Sequence, residues 1–299
     1  MTRRGWLLFA TLSVVWGVPY LLIRVAVRDF DPVVVAGGRT VIGALVLLPI
    51  ALQRTAIGPV LRHWKVLTLY TVVEIVGPWW LLGFGETKLS SSTAGLMIAV
   101  VPLIAAVLLT RLGHDRLDGR RIVGLGIGFA GVATLVGLDL HLDNLAAVIA
   151  VLLTAGGYAV GAIIINRYLT ELPPLGVITF SLTLSALVYL PFALVRRPAV
   201  FTAPAVWSVV ALALICTVAA FLLLFALVAE VGAARATVIT YVNPAVAILL
   251  GILLLHEPFT SGVAIGFPLI IVGAILATTR DKRRPTRPLP TPGEPAAPL

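Results

Sequence analysis

A constant displacement of 142 residues runs through this chain and constrains its fold more than any other feature. Pro102 falls on Pro244, His114–Asp115 on His256–Glu257, Gly124 on Gly266 and Gly131 on Gly273. Upstream, Pro32 falls on Pro174, Pro49 on Pro191 and Trp16 on Tyr158. Prolines and glycines punctuate backbone geometry, so a common offset among them reads as one unit of about 140 residues written twice.

Each unit is built for a bilayer. The chain is 60% hydrophobic and only 12% charged, against about 25% charged residues in soluble domains. A helix needs roughly 20 apolar residues to cross the hydrocarbon. Ten candidates meet that length, at 6–24, 33–52, 65–84, 91–110, 120–138, 144–166, 175–195, 205–229, 235–255 and 261–279. The expected class is therefore an all-α polytopic membrane protein of ten transmembrane helices. Residues 1–138 form the first five-helix repeat and 139–280 the second. Residues 281–299, basic and proline-rich without apolar periodicity, read as a disordered cytoplasmic tail.

The net charge of +9 does not point to nucleic acid, because the basic residues sit in short loops and the tail between apolar runs. With the N-terminus inside, cytoplasmic segments hold 16 of the 22 Lys and Arg residues and outer loops hold five. This bias places both termini in the cytoplasm. Arg3 and Arg4 before an apolar run imitate a signal peptide, but no small-x-small cleavage site follows, so a retained first helix is expected. Five helices per unit is an odd number, so the second copy enters the membrane inverted. Inverted repeats place a site near the midplane at their interface, and rocking about it gives alternating access.

Charges inside the spans are few. Glu74 lies near the middle of the third helix and Arg39 about two turns inside the second. An unpaired charge at such depth costs about 2.5–3.5 kcal/mol on insertion scales, so each should face protein or a wet cavity. Rise per residue puts Arg39 roughly 10 Å below the outer surface and Glu74 roughly 14 Å above the inner one, so their depths differ by about 6 Å. Arg39 and Glu74 are thus a candidate ion pair, either structural or linked to substrate or protons. Pro102 and Pro244, mid-helix and repeat-equivalent, are expected to bend the helices that line the pathway. Trp16, Tyr20, Trp79, Tyr158, Tyr241 and Asn243 are assigned to the cavity with Glu74, and Met97 joins them. Trp6, Trp64 and Trp207 fit the interfacial belt. The small-residue patterns at 124–128 and 262–266 favour close helix packing within the bundle, with a dimer seam as the alternative.

Chemistry of other kinds finds little support. The single cysteine, Cys216, lies in an apolar run, and two isolated histidines beside acids do not make a metal set. No Walker A, HExxH or GxSxG sequence occurs. No cofactor is expected, and catalysis is not.

The pattern resembles the drug/metabolite transporter superfamily, specifically its ten-helix EamA branch, over residues 6 to about 279. Trp16–Gly17, Pro32 with Arg39, and the run from Ala94 through Pro102 to Gly131 carry the resemblance. So do Asn243–Pro244, Gly251, His256–Glu257, Gly266 and Gly273. The first copy departs by carrying Asp115 where the family usually shows glutamate. Among members, the chain looks like bacterial inner-membrane exporters of amino acids, including aromatic ones. That resemblance implies a central cavity between the halves and outward movement of amino acids. Drug or nucleotide-sugar export by the same superfamily, and a non-transporting membrane subunit, stand as alternatives. Proton coupling and facilitated diffusion both stay open.

Overall fold

Helix starts are written locally. The Thr2 hydroxyl accepts from Gly5 N (2.9 Å), Asp31 Oδ1 accepts from Val33 N (2.9 Å) with Pro32 opening the next helix, and Ser90 Oγ accepts from Thr93 N (3.1 Å). These side chains satisfy amides that a helix N-terminus leaves unpaired. The structure is a computed structural model and describes residues 2–112, 118–139, 144–232, 236 and 239–278. The His114–Asp115 pair and the tail at 281–299 lie outside the described residues.

The membrane helices in chain order are α1 Arg3–Ala26, α2 Pro32–Gln53, α3 Trp64–Glu86, α4 Ser91–Arg111 and α5 Gly119–Leu138. They are followed by α6 Leu145–Tyr168, α7 Pro174–Val195, α8 Ala203–Val231, α9 Ile239–Leu255 and α10 Ser261–Thr278. Nine of these are long and apolar enough to cross a membrane, and α9 is shorter as described. No strand occurs among the described residues. The protein is an all-α polytopic membrane protein. Trp6, Trp64 and Trp207 are 59%, 55% and 68% exposed near the starts of α1, α3 and α8, the positions an aromatic belt occupies.

Packing follows the repeat. Three contacts join equivalent helices to each other, α2 with α7, α4 with α9 and α5 with α10. Several others come in matched pairs: α1 with α8 and α6 with α3, α1 with α9 and α6 with α4, α2 with α8 and α7 with α3. Adding five to each helix number maps one contact onto the other, as an approximate two-fold axis requires. The small residues of α5 and α10 are spent inside the bundle. A Cβ on Gly124 would lie 2.6 Å from Ala277 N, and one on Gly131 2.9 Å from Ile270 N. Those helices approach backbone to backbone, as small residues permit in lipid.

Among the described residues, three helices depart from regularity. α4 is interrupted at Ala99–Val100, between Ser91–Ile98 and Val101–Arg111, with Pro102 in the first turn of its second segment. α3 contains a π-helical turn at Val72–Val76, and α8 contains another at Leu214–Ala219. The two π turns begin 142 residues apart, at 72 and 214. Such turns inside α-helices are frequent at functional sites.

Candidate functional site, a cavity on the repeat axis

The irregular segments meet at one cavity of about 360 Å³. Its wall is made of equivalent residues. Trp16 faces Tyr158 across the offset, Tyr20 pairs with Ala162, Glu74 with Cys216 and Trp79 with Phe221. Ile98 likewise pairs with Thr240, Val101 with Asn243 and Pro102 with Pro244. A wall assembled from both members of seven pairs lies on the axis relating the repeats. Trp16 meets Phe221 edge to face with centroids 6.2 Å apart, so the aromatic lining also bridges the halves.

Glu74 reaches this wall from the π turn of α3. It lies against α6 at Gly161, where a Cβ would collide with the Glu74 carboxyl. Glu74 Oε2 is buried and has no hydrogen-bond partner. A carboxylate oxygen in that condition keeps its full desolvation cost until something donates to it. The π turn and Pro78 also free backbone carbonyls, and Tyr189 of α7 donates its hydroxyl to Val76 O, with Ile75 O 3.5 Å away.

Arg39 is held differently. Its Nε donates to Thr217 Oγ1 (2.7 Å) and its Nη2 to Cys216 O (3.4 Å), both in the π turn of α8. Thr217 in turn donates to Leu212 O (2.8 Å). The guanidinium carbon sits 3.6 Å from the centroid of the Trp79 ring, a cation–π contact in a desolvated setting. The expected ion pair is therefore corrected: both side chains line the cavity, but no ion pair joins Arg39 to Glu74. Matching depth was not enough. Trp79 and α8 claim the guanidinium from the side.

Trp16, Tyr20, Glu74, Trp79, Tyr158, Asn243, Pro102 and Pro244 all line the cavity. Two assignments fail. Met97 is fully buried in the main core, because Gly95, Ile98, Ala99 and Pro102 share the lining face of α4 and position 97 falls opposite. Tyr241 stands beside the face made by Thr240, Asn243 and Pro244, and its hydroxyl pairs with Thr278 Oγ1 of α10 (2.6 Å). The prolines are also unequal in backbone: Pro102 follows a helix break, whereas Pro244 lies inside an uninterrupted helix. Oriented as a donor, the Asn243 amide beside it reaches Ile239 O (2.9 Å) and Ser13 O (3.2 Å).

The two ends of the bundle differ. At the end holding the stop of α3 and the start of α4, Glu257 clamps the N-terminus of α4. Its Oε1 accepts from Ser91 N (2.7 Å) and Oγ (3.0 Å), and its Oε2 from Ser92 N (3.0 Å) and Oγ (2.6 Å). Four donors and a helix N-terminus make a strong site for a carboxylate. His256 adopts φ +55° at the corner that delivers it. At the same end Arg24 donates to Glu86 O. Toward the opposite end, where α1 begins, a second cavity runs between the last turns of α4 and α6, lined by Leu109, Leu112, Asn166 and Arg167, and it shares Ala162 with the central one. Sequence reasoning missed Cys216, Phe221 and the Glu257 clamp. The offset was the available signal for the first two, since Glu74 and Trp79 map onto them.

Ten apolar helices around a cavity on a repeat axis define a polytopic carrier architecture. The EamA-like transporter family matches residues 3–137 and again 145–279, two matches displaced by 142 residues. The chain belongs to the EamA-like transporter family. It is 27% identical over 291 residues to the uncharacterized transporter YvbV of Bacillus subtilis, covering 92% of each chain. It is 26% identical over 291 residues to the uncharacterized inner membrane transporter YedA of Escherichia coli K12, covering 95% of this chain and 94% of that one. A protein of known crystal structure shares the fold at a TM-score of 0.67 with 22% identity, covering 93% of this chain and 98% of the other.

Proposed function

We propose that this membrane transporter exports amino acids, aromatic ones among them, from the cytoplasm by alternating access about the central cavity. Both termini are cytoplasmic, the membrane is the bacterial inner membrane, and the two five-helix halves, 1–138 and 139–280, rock against each other in inverted orientation. One chain contains the whole cavity, so the working unit is a monomer.

The observation that carries this reading is a pair of opposite charges lining one aromatic cavity without neutralising each other. A zwitterion offers the missing partners: its ammonium suits the Glu74 carboxyl, and its carboxylate suits the part of the Arg39 fork that Thr217 and Cys216 leave unused. The aromatic lining then accepts varied side chains, and the volume falls in the ordinary range for small-molecule sites.

Flux of labelled amino acids into liposomes holding only the purified protein tests the proposal, with and without an imposed pH gradient. Saturable flux inhibited by several unlabelled amino acids is expected, and its response to the gradient decides proton coupling. Folded protein giving no flux above empty liposomes would move the substrate to another metabolite class.

A further inference from the structure

The lining stripe of α3 does not end at the cavity. Ile75, Trp79 and Leu82 line it at helical spacing, and the next position on the same face is Glu86. Glu86 is fully buried, and neither carboxyl oxygen has a hydrogen-bond partner. It lies on the exit side of the cavity, in the orientation proposed above, beneath the turn that carries Ser91 and Ser92. Four ionisable groups lie within electrostatic reach of it: Arg24 and Tyr20 from α1, Tyr158 from α6 and Glu257 from the α9–α10 connection. Arg24 donates through Nη1 to the Glu86 backbone carbonyl and forms no ion pair with the carboxyl. Glu257 is held as an acceptor by four donors and offers Glu86 nothing. Unlike Glu74, which lines the cavity and has only one oxygen so enclosed, Glu86 has both oxygens enclosed without a donor, a setting that favours the neutral acid over an uncompensated anion.

We propose that Glu86 is a proton-binding site of the outer seal, so that closing the outer side takes up one proton from the external medium and opening returns it there. In the closed arrangement the proton sits on the Glu86 carboxyl. When the Glu257 clamp parts from Ser91 and Ser92, water reaches Glu86 and the proton leaves to the outside. No proton crosses the membrane in this exchange. Low external pH therefore favours the outward-closed state, and high external pH favours opening. The site is distinct from Glu74, which faces the substrate cavity.

This inference rests on the carrier reading for the meaning of the two states, but its test needs no substrate. Spin labels on Lys88→Cys and Phe259→Cys, both exposed and on opposite sides of the clamp, in a Cys216→Ala background, report the distance across the outer end of the full chain in nanodiscs. Between pH 6 and pH 8 a longer distance is expected to grow at the expense of the short one, the ratio changing by up to about tenfold per pH unit, the limit for a single proton. Glu86→Gln, a permanently neutral mimic, is expected to keep the short distance at every pH. An unchanged distribution across pH, or a pH response that survives in Glu86→Gln, overturns the proposal. Should Glu86→Gln fail to fold, Glu86→Asp decides, a displaced midpoint supporting the site and an unmoved one overturning it. A Glu86-dependent response without amino-acid flux would overturn only the substrate assignment.

Discussion

The π turn of α3 and the π turn of α8 occupy equivalent places in the two repeats and carry opposite chemistry. Val72–Val76 presents Glu74 to the cavity, and Leu214–Ala219 presents Cys216, with Thr217 buried behind it against Arg39. The equivalent of Arg39 is Ser181, 142 residues on. In one half, Arg39 donates into the α8 turn; in the other, the hydroxyl of Thr71 beside the α3 turn donates to Ser181 Oγ (2.9 Å). The scaffold contact between the second helix of one repeat and the π turn of the other is thus kept twice, while the charges are split across the axis. Symmetry builds the cavity, and its local violation gives the cavity a positive and a negative end.

The largest expected effect comes from erasing that polarity one end at a time. Glu74→Gln should weaken amino-acid binding roughly 10- to 100-fold, from the about 1.5–3 kcal/mol that a hydrogen bond to a charged group contributes. A primary amine lacking the carboxylate should lose as much with Glu74→Gln and be indifferent to Arg39→Gln. A carboxylate lacking the amine should show the reverse. Calorimetric titration of both ligands against both variants, each checked for monodispersity, measures this as a double-mutant cycle. Equal losses in all four combinations would mean that the two charges support the fold and do not divide the ligand.

A smaller effect should follow from disturbing how Glu74 is seated. Gly161 gives the carboxyl its place against α6, and Gly157 lets α6 approach the π turn, where a Cβ would lie 2.5 Å from Val73 O. Gly161→Ala should displace Glu74 within the cavity and raise the KM for amino acids several-fold, with a stability loss on the order of 1–3 kcal/mol from overpacking. In the first repeat the equivalents of Gly157 and Gly161 are Val15 and Pro19, and the equivalent of Glu74 in the α8 turn is the shorter Cys216. Restoring space with Glu74→Asp in the Gly161→Ala background should recover part of the KM. Failure to recover any would place the damage in helix packing and not in the carboxylate.

Much of this architecture could be read from the residues. Helix positions followed from apolar runs of bilayer length, and the offset of 142 tied prolines, glycines and aromatics into two units. Eight of the assigned residues meet at one cavity for the same reason, since equivalent residues on an axis must face each other. What could not be read is the angular setting of each helix. A π turn has no composition signature in Val72–Val76, yet it adds a residue and rotates everything after it, which is why depth alone mispaired Arg39 with Glu74. Met97 and Tyr241 failed on the same ground, being at the right height on the wrong face. The Glu257 clamp joins residues 165 and 166 positions apart. Neither spacing nor periodicity carries information at that range.

The smallest expected effect separates the scaffold from the chemistry of the α3 turn. Tyr189 of α7 donates its hydroxyl to Val76 O, a carbonyl in the π turn that projects Glu74. The corresponding position in the first repeat is Leu47, which has no hydroxyl to offer α8. The α8 turn instead uses the Thr217 hydroxyl to bond Leu212 O within its own helix. Tyr189→Phe should therefore cost about 1 kcal/mol of stability, the usual scale of one interhelical hydrogen bond in a membrane, read as a lower midpoint in thermal unfolding in detergent. Because Glu74 also rests on Gly161, amino-acid KM should move less than twofold. A KM shift as large as that of Glu74→Gln would show that Tyr189 holds the π turn itself in register, and that the α3 turn depends on a strut its counterpart does without.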